Sequence, residues 1–471
     1  MTDSPEALYK ADEPIFPRRV SGFFRRLKWG IMAITLAIYY LTPWIRWDRG
    51  PNLPDQAVLV DLVGRRFYFF WIEIWPHEFY FVAGLLIMAG LGLFLFTSAL
   101  GRVWCGYACP QTVWTDLFIL VERWIEGDRN ARIKLHHAPM SARKLRLRAG
   151  KYLVWALIGL ATGGAWVFYF ADAPTLLGQL FTFSAAPIAY ASVAVLTATT
   201  FVFGGFMREQ VCIYMCPWPR IQAAMMDEDT LTVAYRDWRG EPRGKKRQEG
   251  IGDCIDCNAC VAVCPMGIDI RDGQQIGCIT CALCIDACDD VMGRIGRDRG
   301  LIDYLALRDE PRERAGNVPR PIWQHVLRRR TLLYAVLWTA MGAALIYALF
   351  IRAELEITVA PVRNPIFVTM SDGAIRNTYE LRLRNKHPED RLFRVAVHGD
   401  PAARLSLEGT PYDAVTVDAD GTIKIRAYVT AAANSSFAVT HASDIRFWVE
   451  DLGSGDRVHA DSTFNGKGGD R

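Results

Sequence analysis

Residues 79–100, FYFVAGLLIMAGLGLFLFTSAL, run for 22 positions without one charged side chain. A helix of about 20 such residues crosses the hydrocarbon core of a bilayer. The same test marks residues 28–46, 151–171, 187–207 and 331–351, so five spans are expected. The 27 residues before the first span are mostly polar and show no signal-cleavage pattern, so that span is expected to stay as an anchor. A length of 471 residues exceeds one ordinary domain. Apolar residues make up 51% and the mean hydropathy is +0.10, which fits spans joined to sizeable water-exposed parts. A net charge of +4 carries no nucleic-acid reading.

Lys and Arg near span ends set orientation. Arg18, Arg19, Arg25, Arg26 and Lys28 precede the first span. Arg143, Lys144, Arg146, Arg148 and Lys151 precede the third, and Arg328, Arg329 and Arg330 the fifth. Loop 171–187 has no basic residue. The expected N-terminus is therefore inside and the C-terminus outside. Loop 47–78 runs against the pattern with Arg49, Arg65 and Arg66, and its run FYFFWIEIWP (67–76) reads as an aromatic interfacial segment.

All 12 cysteines fall in three groups, which speaks for metal or redox chemistry rather than a disulfide scaffold. CIDCNACVAVCP holds Cys254, Cys257, Cys260 and Cys264; CITCALCIDAC holds Cys278, Cys281, Cys284 and Cys288. This is two-cluster ferredoxin spacing, in which the fourth cysteine of each run serves the other cluster. One [4Fe–4S] cluster is expected on Cys254, Cys257, Cys260 and Cys288, and a second on Cys278, Cys281, Cys284 and Cys264. Structural zinc prefers paired C-x2-C ligands and fits poorly. Cys264 is followed by Pro265, whereas Cys288 is followed by Asp289 and Asp290, whose charge would make the first cluster harder to reduce.

The remaining four thiols stand in a repeat. WCGYACP (104–110) and VCIYMCP (211–217) each follow an apolar segment and precede a plausible helix. Pro110 and Pro217 suit a first helical turn. Cys109 and Cys216 would then sit at helix N-termini, which lowers a thiol pKa, and Arg102, Arg208 and Arg220 would act in the same sense. If the two halves meet, Cys105, Cys109, Cys212 and Cys216 form one four-thiol, soft-metal site. The plainer reading is cysteines packed at a helix junction. Met207, Met215, Met225 and Met226 read as packing residues, and His136 and His137 as loop residues.

Residues 236–250 read as a linker or an exposed loop. Beyond residue 352 the pattern changes. LEITVAPV, NTYELRLRNK, LFRVAVHG, GTIKIRAYVTA and DIRFWVEDL alternate as strands do and are separated by turn residues, which points to an immunoglobulin-type β-sandwich. Its histidines, His387, His398, His441 and His459, lack ligand-like spacing. The expected organisation is a multi-domain membrane protein. It comprises an N-terminal tail (1–27), a four-span helical domain (28–226), a ferredoxin-like domain (227–330), a fifth span (331–351) and an all-β sandwich (352–471).

This order of spans, paired Cys-x3-Cys-Pro motifs, two ferredoxin motifs and a β-sandwich closely resembles the CcoG/FixG/RdxA family of cytochrome c oxidase accessory proteins. The resemblance covers nearly the whole chain. It implies a bacterial inner-membrane protein that assists assembly of cbb3-type oxidase, with Cu(II)-to-Cu(I) reduction as its activity. It maps the clusters onto the eight cysteines at 254–288, and copper binding and reduction onto Cys105, Cys109, Cys212 and Cys216. The implied partners are the membrane, oxidase assembly factors or a copper chaperone, and an unidentified electron donor; homo-oligomerisation is left open. The membrane half also resembles quinol dehydrogenases of the NapH and NosR kind, which is the rival reading. A non-catalytic copper chaperone or scaffold is the third.

Overall fold

The computed structural model describes residues 14–50, 53–245, 250–352, 355–387, 389–419 and 421–468. Residues 1–13 of the expected tail and 246–249 of the expected linker lie outside the described residues. Two compact units result: residues 1–46 with 56–345, and residues 47–55 with 346–471.

The first unit opens with helix α1 (Phe23–Leu41). A three-stranded antiparallel sheet follows, β1 (Val58–Asp61), β2 (Arg66–Phe69) and β3 (Ile72–Ile74). Next come α2 (Tyr80–Leu100), α3 (Val103–Tyr107), α4 (Pro110–Glu126), α5 (Arg129–His137), α6 (Ala142–Val167), α7 (Ala173–Phe181) and α8 (Pro187–Gly205). Among the described residues three helices are long and apolar enough to cross a membrane: α2, α8 and Arg329–Phe350. The other two expected spans are helical but carry charge. The helix expected over 28–46 begins earlier, with Arg25 and Lys28 buried inside the protein, and stops at Leu41, where a tight turn with Pro43 follows. Arg25 forms a two-pronged pair with Asp116 of α4, both contacts at 2.9 Å. Burial opposes the Asp116 charge, but Lys28 and Arg25 hold its carboxyl below the ordinary range. The span expected at 151–171 is the C-terminal part of α6. It lies along α8 through Gly159 and Gly163: a Cβ on either would come within 3.0 Å of Thr197 O or 2.8 Å of Val193 O. Small residues let helix backbones approach in this way.

The run at 67–76 is not a featureless interfacial segment. It forms most of β2 and all of β3, pinned by Arg66, which pairs with Glu73 at 3.2 Å and faces the Trp75 ring at 3.9 Å. The cysteine-rich block follows α8, closed by the antiparallel pair β4 (Thr232–Tyr235) and β5 (Ile302–Leu305).

The second unit is a sandwich of two antiparallel sheets. Its strands are β6 (Leu355–Pro361), β7 (Val368–Thr369), β8 (Ile375–Asn385), β9 (Arg391–His398), β10 (Arg404–Leu407), β11 (Ala414–Val417), β12 (Thr422–Ala431), β13 (Ala442–Asp451) and β14 (Arg457–Asn465). One sheet runs β10–β12–β8–β6 with β7 also on β8; the other runs β11–β9–β13–β14. The alternation read from the sequence is the burial pattern of β8, where Tyr379, Leu381 and Leu383 face Phe393, Val395, Phe447 and Phe464 in the core. Asn377 and Asn385 share that face and are satisfied, Asn385 by donating to the carbonyls of Glu389, Val417 and Asp418. Asn377 exchanges hydrogen bonds with the Asn465 backbone at 2.8 and 3.0 Å.

Candidate iron–sulfur and four-thiol site

The two ferredoxin runs fold as copies of one loop. Asp256 and Asn258 in the first, and Thr280 and Ala282 in the second, occupy equivalent places with φ between 50° and 59°. Non-glycine residues in the left-handed region are uncommon, and four of them in register mark a constrained wrap rather than chance. Asn258 and Ala282 then start the helices Ala259–Val263 and Leu283–Ile295. Arg271 braces the first wrap, donating to Asp256 at 2.7 Å, to Asn258 at 2.5 Å and to Asp269 at 2.6 Å. Nothing in the cysteine spacing signals this arginine.

The wraps exchange their last thiols. The charges bearing on Cys288 are those of Cys260, Cys257 and Cys254, together with Asp289. Those bearing on Cys264 are Cys281 and Cys278. An apolar cavity lies between Cys264, Cys278, Cys281 and Cys284. Burial pushes Cys260 up to about 11 and Cys264 and Cys288 up to about 12, so ionising these thiols waits on a bound cation. Among the described residues no three Cys, His, Asp or Glu side chains close around a single ion. Two sets of four thiols around a polynuclear cluster, one thiolate per iron, fit the residues present. Asp289 faces Cys288, while Asp290 is drawn to Arg294 at 2.6 Å on the exposed side.

The two Cys-x-Tyr-x-Cys-Pro motifs meet. Cys105, Cys109, Cys212 and Cys216 lie within electrostatic range of one another. Cys105 lies on α3 and Cys109 caps α4 with Pro110 as its first residue. Cys212 lies in a π-helical turn, Val211–Met215, and Cys216 precedes Pro217 and the helix Trp218–Met225. Gln222 of that helix ties the halves together. It is fully buried, accepts from Cys105 Sγ at 3.0 Å and donates to Thr97 of α2 at 3.3 Å. No motif announced Gln222. The expected lowering of the Cys109 pKa does not hold. Burial pushes the thiol up, and the α4 N–H groups of Thr112 and Gln111 offset only part of that rise. Burial likewise takes Cys105 to about 11 and Cys212 to about 12, against the opposing charge of Arg102.

Arg102 is buried and also acts on Cys278, so one cation serves both the four-thiol site and the second wrap. The two are in direct contact. A Cβ at Gly106 would stand 2.6 Å from Ile279 O and 3.0 Å from the Cys281 backbone, and Tyr107 donates to Cys281 O at 3.1 Å. Asp286, between Cys284 and Cys288, caps α1 by accepting from the N–H groups of Phe24 at 3.3 Å and Arg25 at 2.8 Å. Met226 packs its sulfur at Gly101, and Met215 is half exposed.

Residues 207–306 match the family described as "4Fe-4S dicluster domain", and residues 81–128 match "4Fe-4S binding domain". Residues 345–467 match the "IG-like fold at C-terminal of FixG". Protein RdxB of Cereibacter sphaeroides is 66% identical over 467 residues, covering 98% of each chain. The chain belongs to the FixG/RdxA family. The nitrogen fixation protein FixG of Rhizobium meliloti is 57% identical, over 85% of this chain and 82% of that one. The ferredoxin-type protein NapH of Escherichia coli is 24% identical, over 42% of this chain and 62% of its own. As a FixG/RdxA protein with matches to 4Fe–4S domains, the chain is a membrane iron–sulfur protein of electron transfer.

Proposed function

We propose that this chain reduces Cu(II) to Cu(I) at Cys105, Cys109, Cys212 and Cys216, and so supports copper delivery to a cbb3-type cytochrome c oxidase. The observation that carries the reading is the meeting of the two motifs, with the backbone at Gly106 against the loop of Cys281. Clusters on Cys254, Cys257, Cys260 and Cys288, and on Cys264, Cys278, Cys281 and Cys284, would supply single electrons at low potential. Two of the four thiols bind the substrate ion. Soft thiolates favour Cu(I) over Cu(II), which draws the electron onto copper. One electron converts one ion and no proton is consumed. Cu(I) accepts few ligands, so a pair drawn from the four suffices. Arg102 offsets the charge of the thiolates once copper is bound. The proposed setting is the bacterial inner membrane, with the cysteine sites cytoplasmic and the β-sandwich on the far side.

The test is Cu(II) reduction by purified, dithionite-reduced protein, followed with a Cu(I) chelator. Replacing the four cysteines by serine is expected to lower the rate at least ten-fold while iron stays near about eight per chain. A full rate in that variant would remove copper from these thiols. A second reading, quinol oxidation, rests on the similarity to NapH. Stoichiometric quinone in the purified protein would favour it.

A further inference from the structure

Each ferredoxin wrap keeps a buried arginine, and the two differ in what neutralises them. Arg271 serves the first wrap; its side chain is 6% exposed and is paired with Asp256 at 2.7 Å and Asp269 at 2.6 Å. Arg102 serves the second wrap and is 3% exposed. Its Nη1 donates to Ile276 O, two residues before Cys278, and its Nε has no hydrogen-bond partner. Among the described residues no carboxylate pairs with Arg102.

A guanidinium stays protonated inside a protein, and a buried charge is costly unless an opposite charge stands beside it. What faces Arg102 instead of carboxylate is sulfur. It is the N-cap residue of α3, three positions before Cys105, and it lines one cavity together with Cys278. Its charge bears on Cys105, Cys212 and Cys278 alike. The counter-charge open to it is therefore a metal–thiolate group, in the four-thiol site, in the second wrap or in both.

Reduction adds one negative charge to a cluster held by four thiolates. A fixed cation nearby favours the reduced form, and burial protects that attraction from screening by salt. At the first wrap the charge of Arg271 is offset by Asp256 and Asp269, so Arg271 exerts little of the same effect. We propose that Arg102 selectively raises the reduction potential of the cluster on Cys264, Cys278, Cys281 and Cys284. That cluster belongs to the wrap in contact with the four-thiol site through Gly106 and Tyr107, so the arginine favours holding the electron beside the four thiols. The inference rests on the two clusters of the proposed function and not on copper as the substrate.

The test is a redox titration of the purified full chain with its clusters, followed by EPR with copper omitted. In Arg102→Gln, one cluster is expected to show a reduced-to-oxidised ratio at least about ten-fold lower at its wild-type midpoint, which is about 59 mV for one electron. The other cluster is expected to keep its midpoint. Arg102→Lys, which retains the charge, is expected to stay within about three-fold of the wild-type ratio. Asp289→Asn removes a charge beside Cys288 and is expected to raise the midpoint that Arg102→Gln leaves alone, which assigns the two clusters. Equal shifts of both clusters in Arg102→Gln, or no shift in either, would overturn the proposal. So would a fall in Arg102→Lys equal to that in Arg102→Gln, or a shift of the same cluster by Arg102→Gln and Asp289→Asn. Should Arg102→Gln lose iron, Arg102→Met, uncharged and with no donor to strand, carries the same test. Iron lost from both neutral variants would make Arg102 a brace for the wrap rather than a charge that sets a potential, and would overturn the proposal.

Discussion

The two Cys-x-Tyr-x-Cys-Pro motifs are near copies in sequence and unlike each other in place. In the first, Gly106 follows Cys105 and admits the Ile279–Cys281 backbone to contact distance. In the second, Ile213 follows Cys212, and its side chain would stand 4.0 Å from a Cβ at Gly277. Tyr107 is buried and bonded to Cys281 O, whereas Tyr214 is half exposed. The first motif lies on an α-helical turn and the second on a π-helical one. The repeat therefore supplies thiols twice, but the first half brings its own backbone against the second ferredoxin wrap, whereas the second packs on the same core through Cys212 and Ile213. A repeated motif reports shared chemistry; its variable position reports which neighbour each copy must fit.

The largest effect is expected where the two halves are held together. Glu122 on α4 takes Arg208, just before the second motif, together with Arg132 and Lys151. Removing one member of a buried ionic group costs about 3–5 kcal/mol, so Glu122→Gln should sharply lower the melting temperature at pH 7. The sign with pH follows from the depressed carboxyl. Burial would raise it, but Arg208, Arg132 and Lys151 hold it below the ordinary range. Its contribution is therefore present above the usual glutamate pKa and lost as pH falls through the lowered folded value. Melting curves of wild type and Glu122→Gln should converge on acidification; a constant gap would break the assignment.

Gly106→Ala comes next. Its Cβ would meet backbone oxygen, which cannot rotate away, and overpacking of this kind costs about 1–3 kcal/mol. Iron analysis should show loss from the second wrap, while Ile213→Ala in the other motif keeps its iron. Equal iron in both variants would dissolve the distinction between the motifs. Gln222→Leu strands the Cys105 and Thr97 partners at once and is expected to cost about 1–3 kcal/mol by denaturant unfolding, since the apolar replacement offers neither an acceptor for Cys105 nor a donor for Thr97. The smallest contrast is between the tyrosines. Tyr107→Phe should cost about 1 kcal/mol and Tyr214→Phe less than about 0.5 kcal/mol. Similar values for the pair would mean that burial of Tyr107 does not decide its role.

Periodicity made the sandwich legible, because β-strand alternation is local: the runs at 377–386 and 444–452 are strands β8 and β13 with the expected faces inward. Proline placement likewise located the starts of α4 and of Trp218–Met225. The first apolar segment was less legible. Arg25 and Lys28 look like flanking charges until Asp116, 91 residues from Arg25, is beside them. The aromatic run at 67–76 hid strands because Phe67, Tyr68 and Phe69 put aromatic rings on both faces of β2, which removes the alternating signal there.

By itself, the sequence determined the thiol inventory and its grouping, since ligand spacing within a loop is covalent geometry, together with the apolar helices and the alternating strands. Only the tertiary structure decided that the two motifs meet, that Gln222 joins them and Arg102 serves both sites, and that burial rather than the helix dipole governs Cys109. Those outcomes depend on which distant side chains share one dry, low-dielectric space, and no local pattern encodes that.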